Sequence, residues 1–359
     1  MRHSPHLFSL IGALLAALAV ACGPAVANAP APAQPGPEAH PAAASGAAPV
    51  TSSEAAPTVG ATAPLPLQQV RITVPTKSIT FLPFYFGQDK GLFRDEGLDL
   101  DLVQMRPPLG ISALEAGDLA YSAAPGVGMR AAIQGAAIRA VLFVQAKPSF
   151  TLIGEPGIRR DQIKAVAVSG LGSTAHYAAL NVMRKLGRGG ADDATYFATN
   201  DTAKSYQALL GGTADAAILS PPYTSMATLG GYTNLGDAFD MVDVQGGLVT
   251  TTRHLSEEPA EVRALLRGTL RALQYIGAHE DEIVAYLERE FELEHGVAVG
   301  SYAIVKQVLD MDGDLDDASL RSVVEQMKQD AEVTDDVPLS RVADLGPLRE
   351  VQAELGLRR

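Results

Sequence analysis

From residue 68 onward, short apolar strands alternate along the chain with amphipathic helices. Val70 to Val74 (VRITV) predicts a strand, and the segment from Lys77 to Phe86 leads into a helix that ends near Gly91-Leu92-Phe93. In LDLDLVQM, Leu98, Leu100 and Leu102 share one period-two face, which predicts a second strand. A helix around Ile111 to Ala116, a turn at Gly117-Asp118-Leu119 and a strand at Ala120 to Ala123 follow.

The same order returns 95 residues later, since Ser78 aligns with Ser173 and Leu114-x-x-Gly117 with Leu209-x-x-Gly212. Ala165 to Ser169 is a strand, Gly170 to Thr174 a loop, Ala175 to Leu186 a helix and Thr195 to Ala198 a strand. Then come a helix from Lys204 to Leu210, a turn at Gly211-Gly212 and a strand from Ala216 to Leu219. Repetition of strand–helix units predicts an α/β chain with two lobes, each a mostly parallel sheet flanked by helices. Ligands in such sheets bind outside the carboxyl ends of the strands, so two facing lobes predict a cleft.

After the strand Leu248 to Thr252 the pattern is helical almost to the end. Pro259 opens a helix with Val262, Leu265, Leu266, Leu270 and Leu273 on one face, and further runs carry Ile283, Val284 and Leu287, then Tyr302, Val305 and Val308, then Leu320, Val323 and Met327. These helices are expected to pack back on the first lobe, with crossings near Gln145 to Ile153 and Val244 to Thr250. The expected divisions are 68–150 for the first part of lobe 1, 151–248 for lobe 2 and 249–359 for the rest of lobe 1.

Residues 1–22 read differently. Arg2 precedes an uncharged stretch of 16 residues, Leu7 to Cys22. That is shorter than the roughly 20 residues that span a bilayer. It predicts an export signal ending in Ala19-Val20-Ala21, directly before Cys22. The segment resembles a bacterial lipobox, which implies diacylation of Cys22 and a membrane-anchored, extracytoplasmic protein. Ala19 stands where leucine is commoner, and an ordinary secretory signal cut nearby is the competing reading. From Gly23 to Leu67, 15 alanines and 10 prolines make up 25 of 45 residues, a composition that predicts a disordered tether.

Composition narrows the chemistry. Forty-one acids against 28 bases, a net charge of −13, argue against a nucleic-acid partner and against direct adhesion to an anionic membrane. The membrane is met only through the N-terminal lipid. One cysteine excludes a disulfide framework and every multi-cysteine metal site.

The strings ITVPTKSITFLPFYFGQDKGLFRDEGLDLDLV, MRPPLGISALEAGDLAYSAAPG and AAILSPPY resemble the extracytoplasmic solute-binding proteins of ABC importers. The likeness is to the nitrate/sulfonate/taurine group, which also contains thiamine-pyrimidine binders, and it runs from about Val70 to Thr334. It implies a type II periplasmic-binding-protein fold, closure of two lobes on a small molecule, and delivery to an ABC permease with its ATPase. It implies a monomer and no cofactor.

Within that frame the loops acquire roles. Gly172, Ser173 and Thr174 lie between a strand and a helix, where free N–H groups could hold an anionic or strongly polar group, although Ser173 or Thr174 could equally cap its own helix. Ser78 is the first lobe's counterpart. Phe81 is a candidate lining ring, while Phe86 reads as core. Ser122, Ala123 and Ala124 end a strand with small side chains, and Ser220 and Tyr223 do the equivalent in the second lobe. His176, in the first turn of the pocket helix, either touches the ligand or is solvated. Lys77 is the nearest cation in sequence, with Lys147 at a crossing. The ligand is left open between a sulfonate-like anion and an aromatic or heterocyclic compound.

Other readings are weaker. Gly170-x-Gly172-x-x-Ala175 with Asp192 and Asp193 mimics a dinucleotide fingerprint and an NAD-dependent oxidoreductase, but both aspartates precede the next strand, where the ribose-binding acid should follow it. The acidic run Asp310 to Asp317 lacks the glycine and glutamate of a calcium loop and reads as a turn whose Asp316 or Asp317 caps a helix. His176, His254, His279 and His295 form no metal-ligand spacing, and no G-x-S-x-G elbow appears. No catalytic residue is assigned, so an enzyme is not expected. A ligand-sensing receptor component would use the same cleft.

Overall fold

A computed structural model describes residues 67–190 and 193–358. The signal segment with Cys22, the tether up to residue 66, and Asp192 lie outside the described residues.

Val70, Ile72 and Val74 in β1 (Gln68–Val74) point into the core. This strand runs parallel to β2 (Leu98–Gln104), with Val70 opposite Leu100 and Ile72 opposite Leu102. On its other side it runs parallel to β3 (Tyr121–Ser122). Between them lie helices α1 (Leu82–Asp89) and α2 (Pro107–Ala116). The helix expected from Ile111 begins four residues earlier, because Pro107 at the first helical position has no N–H to lose. Gly117, at φ +83°, ends it in the left-handed region that glycine adopts without strain.

The expected repeat is present as topology. β6 (Ala165–Val168) lies parallel between β7 (Thr195–Ala198) and β8 (Ala216–Leu219), as β1 does between β2 and β3. The helices α4 (Thr174–Lys185) and α5 (Thr202–Leu210) connect them.

Two antiparallel strands then complete each sheet. β10 (Gly246–Thr251) inserts between β3 and β4 (Ile138–Gln145), while β5 (Thr151–Gly154) pairs with both β8 and β9 (Thr233–Asp237). The result is two mixed five-stranded sheets, each flanked by helices. Strands β4, β5 and β9, with the short helices α3 (Pro125–Ile133) and α6 (Tyr223–Leu229), are additions to the sequence reading. β4 escaped it because IRAVLFVQ is buried along almost its whole length and shows no alternation.

Behind β10 come α7 (Thr252–Glu257) and α8 (Pro259–Ala278), whose predicted stripe of Val262, Leu265, Leu266, Leu270 and Leu273 is buried. Next are α9 (Glu280–Glu290), α10 (His295–Val308) and α11 (Asp317–Asp330). Asp316 caps α11 by accepting from the Ala318 and Ser319 N–H groups at 3.0 and 2.9 Å, so the acidic run is indeed a capped turn. α12 (Leu339–Val342) and α13 (Gly346–Glu354) end the described chain. These helices share one core with the first sheet. The second sheet has a cluster on each face, one built on α4 and one on α5 and α6.

The outer edge of β4 is covered rather than open. Asp310 N–H donates to Val144, Phe143 N–H to Gly313, and Asp344 N–H to Ala140. An exposed edge would be a template for pairing with another chain. No helix of the described residues is long and apolar enough to cross a membrane.

Phe93 is wedged between α1 and α8, and glycines make room for it on both. A Cβ at Gly268 would stand 2.5 Å from the Phe93 ring, and one at Gly87 2.7 Å from it. Alanine gains about 1 kcal/mol over glycine in a helix, but a ring held from two sides cannot retreat. We expect Gly268→Ala to lose about 1–3 kcal/mol net by overpacking, read from the midpoint of denaturant unfolding; unchanged or raised stability would show that the ring can move.

Candidate functional site

The chain passes from the first sheet to the second at residues 146–150 and returns at 238–245. The two connections pair with each other: Asp243 N–H donates to Ala146 at 2.9 Å, Gln245 to Gln145 at 2.8 Å, and Ala238 to Phe150 at 3.0 Å. Each lobe also grips this hinge through a side chain. Asp310 Oδ2 accepts from Ala146 N–H at 2.6 Å, and Thr174 Oγ1 donates to Asp243 Oδ2 at 2.5 Å. Gln245 Nε2 donates to the same Asp243 oxygen.

Beside the hinge lies a cavity of about 380 Å³ bounded by both lobes. Gly172, Thr174, Tyr177, Asn181 and Arg184 form its second-lobe wall. Arg130 of α3, with Ser322, Gln326 and Asp330 of α11, faces them from the first lobe, and Met241 to Asp243 close one side. Four of these residues share a face of α4 at the spacing i, i+3, i+7, i+10. That polar stripe has a local signature in the sequence, whereas Arg130 and α11 arrive only through tertiary packing.

Of the sequence-derived candidates, Gly172 and Thr174 reach this cavity. Ser173 caps α4: its hydroxyl donates to Gly170 O at 2.6 Å and accepts from His176 N–H at 3.4 Å. Such a cap contributes about 1 kcal/mol. His176 folds back on the same loop, where Nδ1 accepts from Gly172 N–H at 3.0 Å. Its ring meets Tyr196 edge-on at 5.1 Å. Among the described residues the Thr174 and Ala175 N–H groups have no partner in the chain.

The other candidates sit at the carboxyl ends of their strands. Ser78 is half-buried ahead of a short 3₁₀ turn, and Phe81 in that turn is 4% exposed, inside the first-lobe core. Ser122, Ala123 and Ala124 are also buried, and Ser122 Oγ has no hydrogen-bond partner among the described residues. Ser220 follows β8, and Tyr223 packs its ring 5.6 Å from that of Tyr206. Lys77 is engaged by Glu290 at 3.7 Å and lies over the Phe291 ring. Asp193 of the dinucleotide reading bonds Gly190 N–H and faces Arg188 at the amino end of β7, away from the strand ends that bind ligands. Among the described residues no group of three or more His, Cys, Asp or Glu is placed to hold a metal.

Two lobes of related topology joined by a paired hinge define the periplasmic-binding-protein fold. The chain belongs to the NMT1/THI5-like family, whose model matches residues 78–283, more than half its length. No curated protein matches the sequence.

Solved structures agree on the fold. The ligand-binding component of an ABC-type import system from Staphylococcus aureus, with zinc bound, superimposes with a TM-score of 0.60 at 16% identity, over 79% of this chain and 99% of that one. The periplasmic aliphatic sulphonate binding protein SsuA from Escherichia coli gives 0.59 at 17% identity, over 77% and 92%. The alkanesulfonate-binding protein SsuA from Xanthomonas axonopodis pv. citri, bound to MOPS, gives 0.55 at 17%, over 78% and 97%.

Burial pushes the Asp310 carboxyl from its ordinary 3.8 up to about 6, partly opposed by the Ala146 hydrogen bond and nearby Lys147. Over that interval the folded chain keeps a proton that the unfolded chain has released, so this group's contribution to stability falls as pH rises from 4 to 6. Asp310→Asn keeps an acceptor for Ala146 and removes the titration. We expect the stability of the variant relative to wild type to rise by about 2 kcal/mol between pH 4 and pH 7, measured by calorimetry; a flat difference would mean that Asp310 titrates normally.

Proposed function

We propose that this protein is an extracytoplasmic solute-binding lipoprotein that captures one small molecule between its two lobes and delivers it to an ABC importer permease with its ATPase. The observation that carries the reading is the hinge-side cavity walled by both lobes, because a solute that touches both walls favours the closed arrangement by its extra contacts there. The family and the ABC-importer proteins sharing the fold support it.

The Gly172–Thr174 loop offers the solute backbone N–H groups at the start of a 12-residue helix, and Ser78, Ser122 and Ser220 offer hydroxyls or backbone at neighbouring strand ends. Tyr223 is the proposed aromatic wall, with Ala123, Ala124 and His176 shaping the floor and Phe81 backing it from inside the first-lobe core. The solute is a sulfonate-like anion or an aromatic heterocycle. Cys22 carries the lipid, residues 23–67 form the tether, and the protein acts as a monomer and binds rather than transforms its solute.

Native mass spectrometry of the purified protein, with a thermal-shift screen of sulfonates, nitrate, pyrimidines and small aromatics, tests the reading, since binding raises the melting point by mass action. A co-purified mass or one stabilising chemical class is expected. Thr174→Ala with Ser173→Ala, which uncaps α4 and releases the loop from Asp243, should weaken that binding about ten-fold by loosening the backbone N–H groups of the loop, without unfolding the chain. Affinity unchanged in the double variant would remove this loop from the site. Cys22→Ala should release the protein from the membrane fraction; retention would move the anchor elsewhere.

A further inference from the structure

Away from the hinge the lobes meet a second time, on the α6 face of the second sheet, where α6 lies against α10 of the first lobe. The contact is built from very small groups. Gly300, in the interior of α10, lets Ser225 come so near that a Cβ there would stand 2.9 Å from Ser225 Oγ and 3.1 Å from Ser225 Cβ. One turn earlier Gly296 receives Leu229, whose Cδ1 would be 3.2 Å from an added Cβ. Glycine inside a helix is destabilising relative to alanine, and the close approach of the other lobe is what Gly300 gains in return.

The seam is tight at that point and loose around it. Cavities of about 300 Å³ and 460 Å³ flank it, each walled by both lobes. Asn234 and Asp237 of the second lobe line the first with Ile304 and Gln307 of α10, while Met226 lines the second with Leu293 and Val297. Ser301 Oγ donates to Ser225 Oγ at 3.3 Å, a long bond between two buried hydroxyls that water replaces at little cost. Thr224 Oγ1, the neighbouring hydroxyl on α6, is buried with no partner among the described residues. A permanent core is close-packed and satisfies its buried polar atoms; this seam does neither.

We propose that the α6–α10 seam is a releasable latch, made when the lobes come together and parted when they separate, which sets from outside the solute site how much of the protein is closed before a solute arrives. Its hold depends on how near α6 can come to Gly300. A solute selects the closed arrangement, so a weakened latch lowers apparent affinity by lowering the closed fraction, with no contact to the solute changed. The effect on affinity rests on the solute-binding reading above; the parting of the seam does not.

The test uses the full-length protein with Cys22→Ala, which removes the one native thiol. In Ser225→Cys with Gly300→Cys the two Cβ atoms would stand 3.1 Å apart, a few tenths of an ångström inside the usual disulfide range of about 3.5–4.5 Å. Oxidation should hold the lobes together and dithiothreitol should free them, so small-angle X-ray scattering without solute should give a larger radius of gyration for the reduced protein. Gly300→Leu, which drives a side chain into Ser225, should likewise exceed the unwedged protein in radius, with a melting curve showing that it is folded. Ethanesulfonate and 4-aminopyrimidine serve as solute probes in calorimetric titrations. Whichever binds the unwedged protein should bind Gly300→Leu at least about five-fold more weakly, as the closed fraction falls.

Equal radii for the oxidised and reduced protein overturn the latch, as does failure of the disulfide to form in folded protein, since the two residues would then not meet in solution. If Gly300→Leu does not fold, the oxidised and reduced pair decides alone. A larger radius with unchanged probe affinity would overturn the control of binding while leaving a seam that parts. If neither probe binds, the solute-binding reading loses support, and the scattering still decides whether the seam opens.

Discussion

The two lobes share no continuous sheet, and what holds them in register is a narrow pair of connections hydrogen-bonded to each other at Ala146–Asp243, Gln145–Gln245 and Phe150–Ala238. Every wall of the cavity is referred to this hinge: the second lobe through Thr174 on Asp243, the first through Asp310 on Ala146. Each grip comes from a side chain at an element boundary, Thr174 opening α4 and Asp310 following α10. A shift of either lobe is therefore felt by the loop that opens α4. On the opposite face of the second sheet the lobes touch again, where Ser225 of α6 packs against Gly300 and bonds Ser301 of α10.

Charge is distributed unevenly in a way that composition conceals. The chain as a whole is strongly acidic, yet the charges lining its interlobe cavity balance, Arg130 and Arg184 against Asp243 and Asp330. Screening over about 10 Å at ordinary ionic strength separates the two scales, so distant surface carboxylates do little to the field inside a narrow cleft. Within it, the local inventory of Arg184, Arg130, Asp330 and Asp243 sets the field.

Much of the architecture is legible in the sequence. Strands such as AVAV and AAIL, bounded by glycine turns, and the 95-residue repeat have local causes, and they recur as the β2-β1-β3 and β7-β6-β8 orders. β4 and β5 were not legible, since a strand covered on both faces has no polar alternation. The loop at Gly172–Thr174 was legible because a Gly-Ser-Thr turn between strand and helix has a local reason to expose N–H groups. Phe81 shows the limit: FLPFYF announces an aromatic cluster, and only packing decides that this ring faces inward, at 4% exposure. Arg130 and Gln326 lie 54 and 142 residues away from Arg184, and no local pattern brings them to it.

The insertion of β10 between β3 and β4 has a consequence in time. All five strands of the second sheet come from one unbroken stretch, 151–237, so that lobe can complete its pairing as soon as it has emerged during synthesis. The first sheet cannot. β4 touches no strand of its own sheet except β10, which is made a hundred residues later, and its other edge waits still longer for residues 310–313 and 343–344. The lobe that begins first in the chain is thus finished last, through contacts of high sequence separation that are slow to form. Until they close, β4 is the segment most open to pairing with a neighbouring molecule.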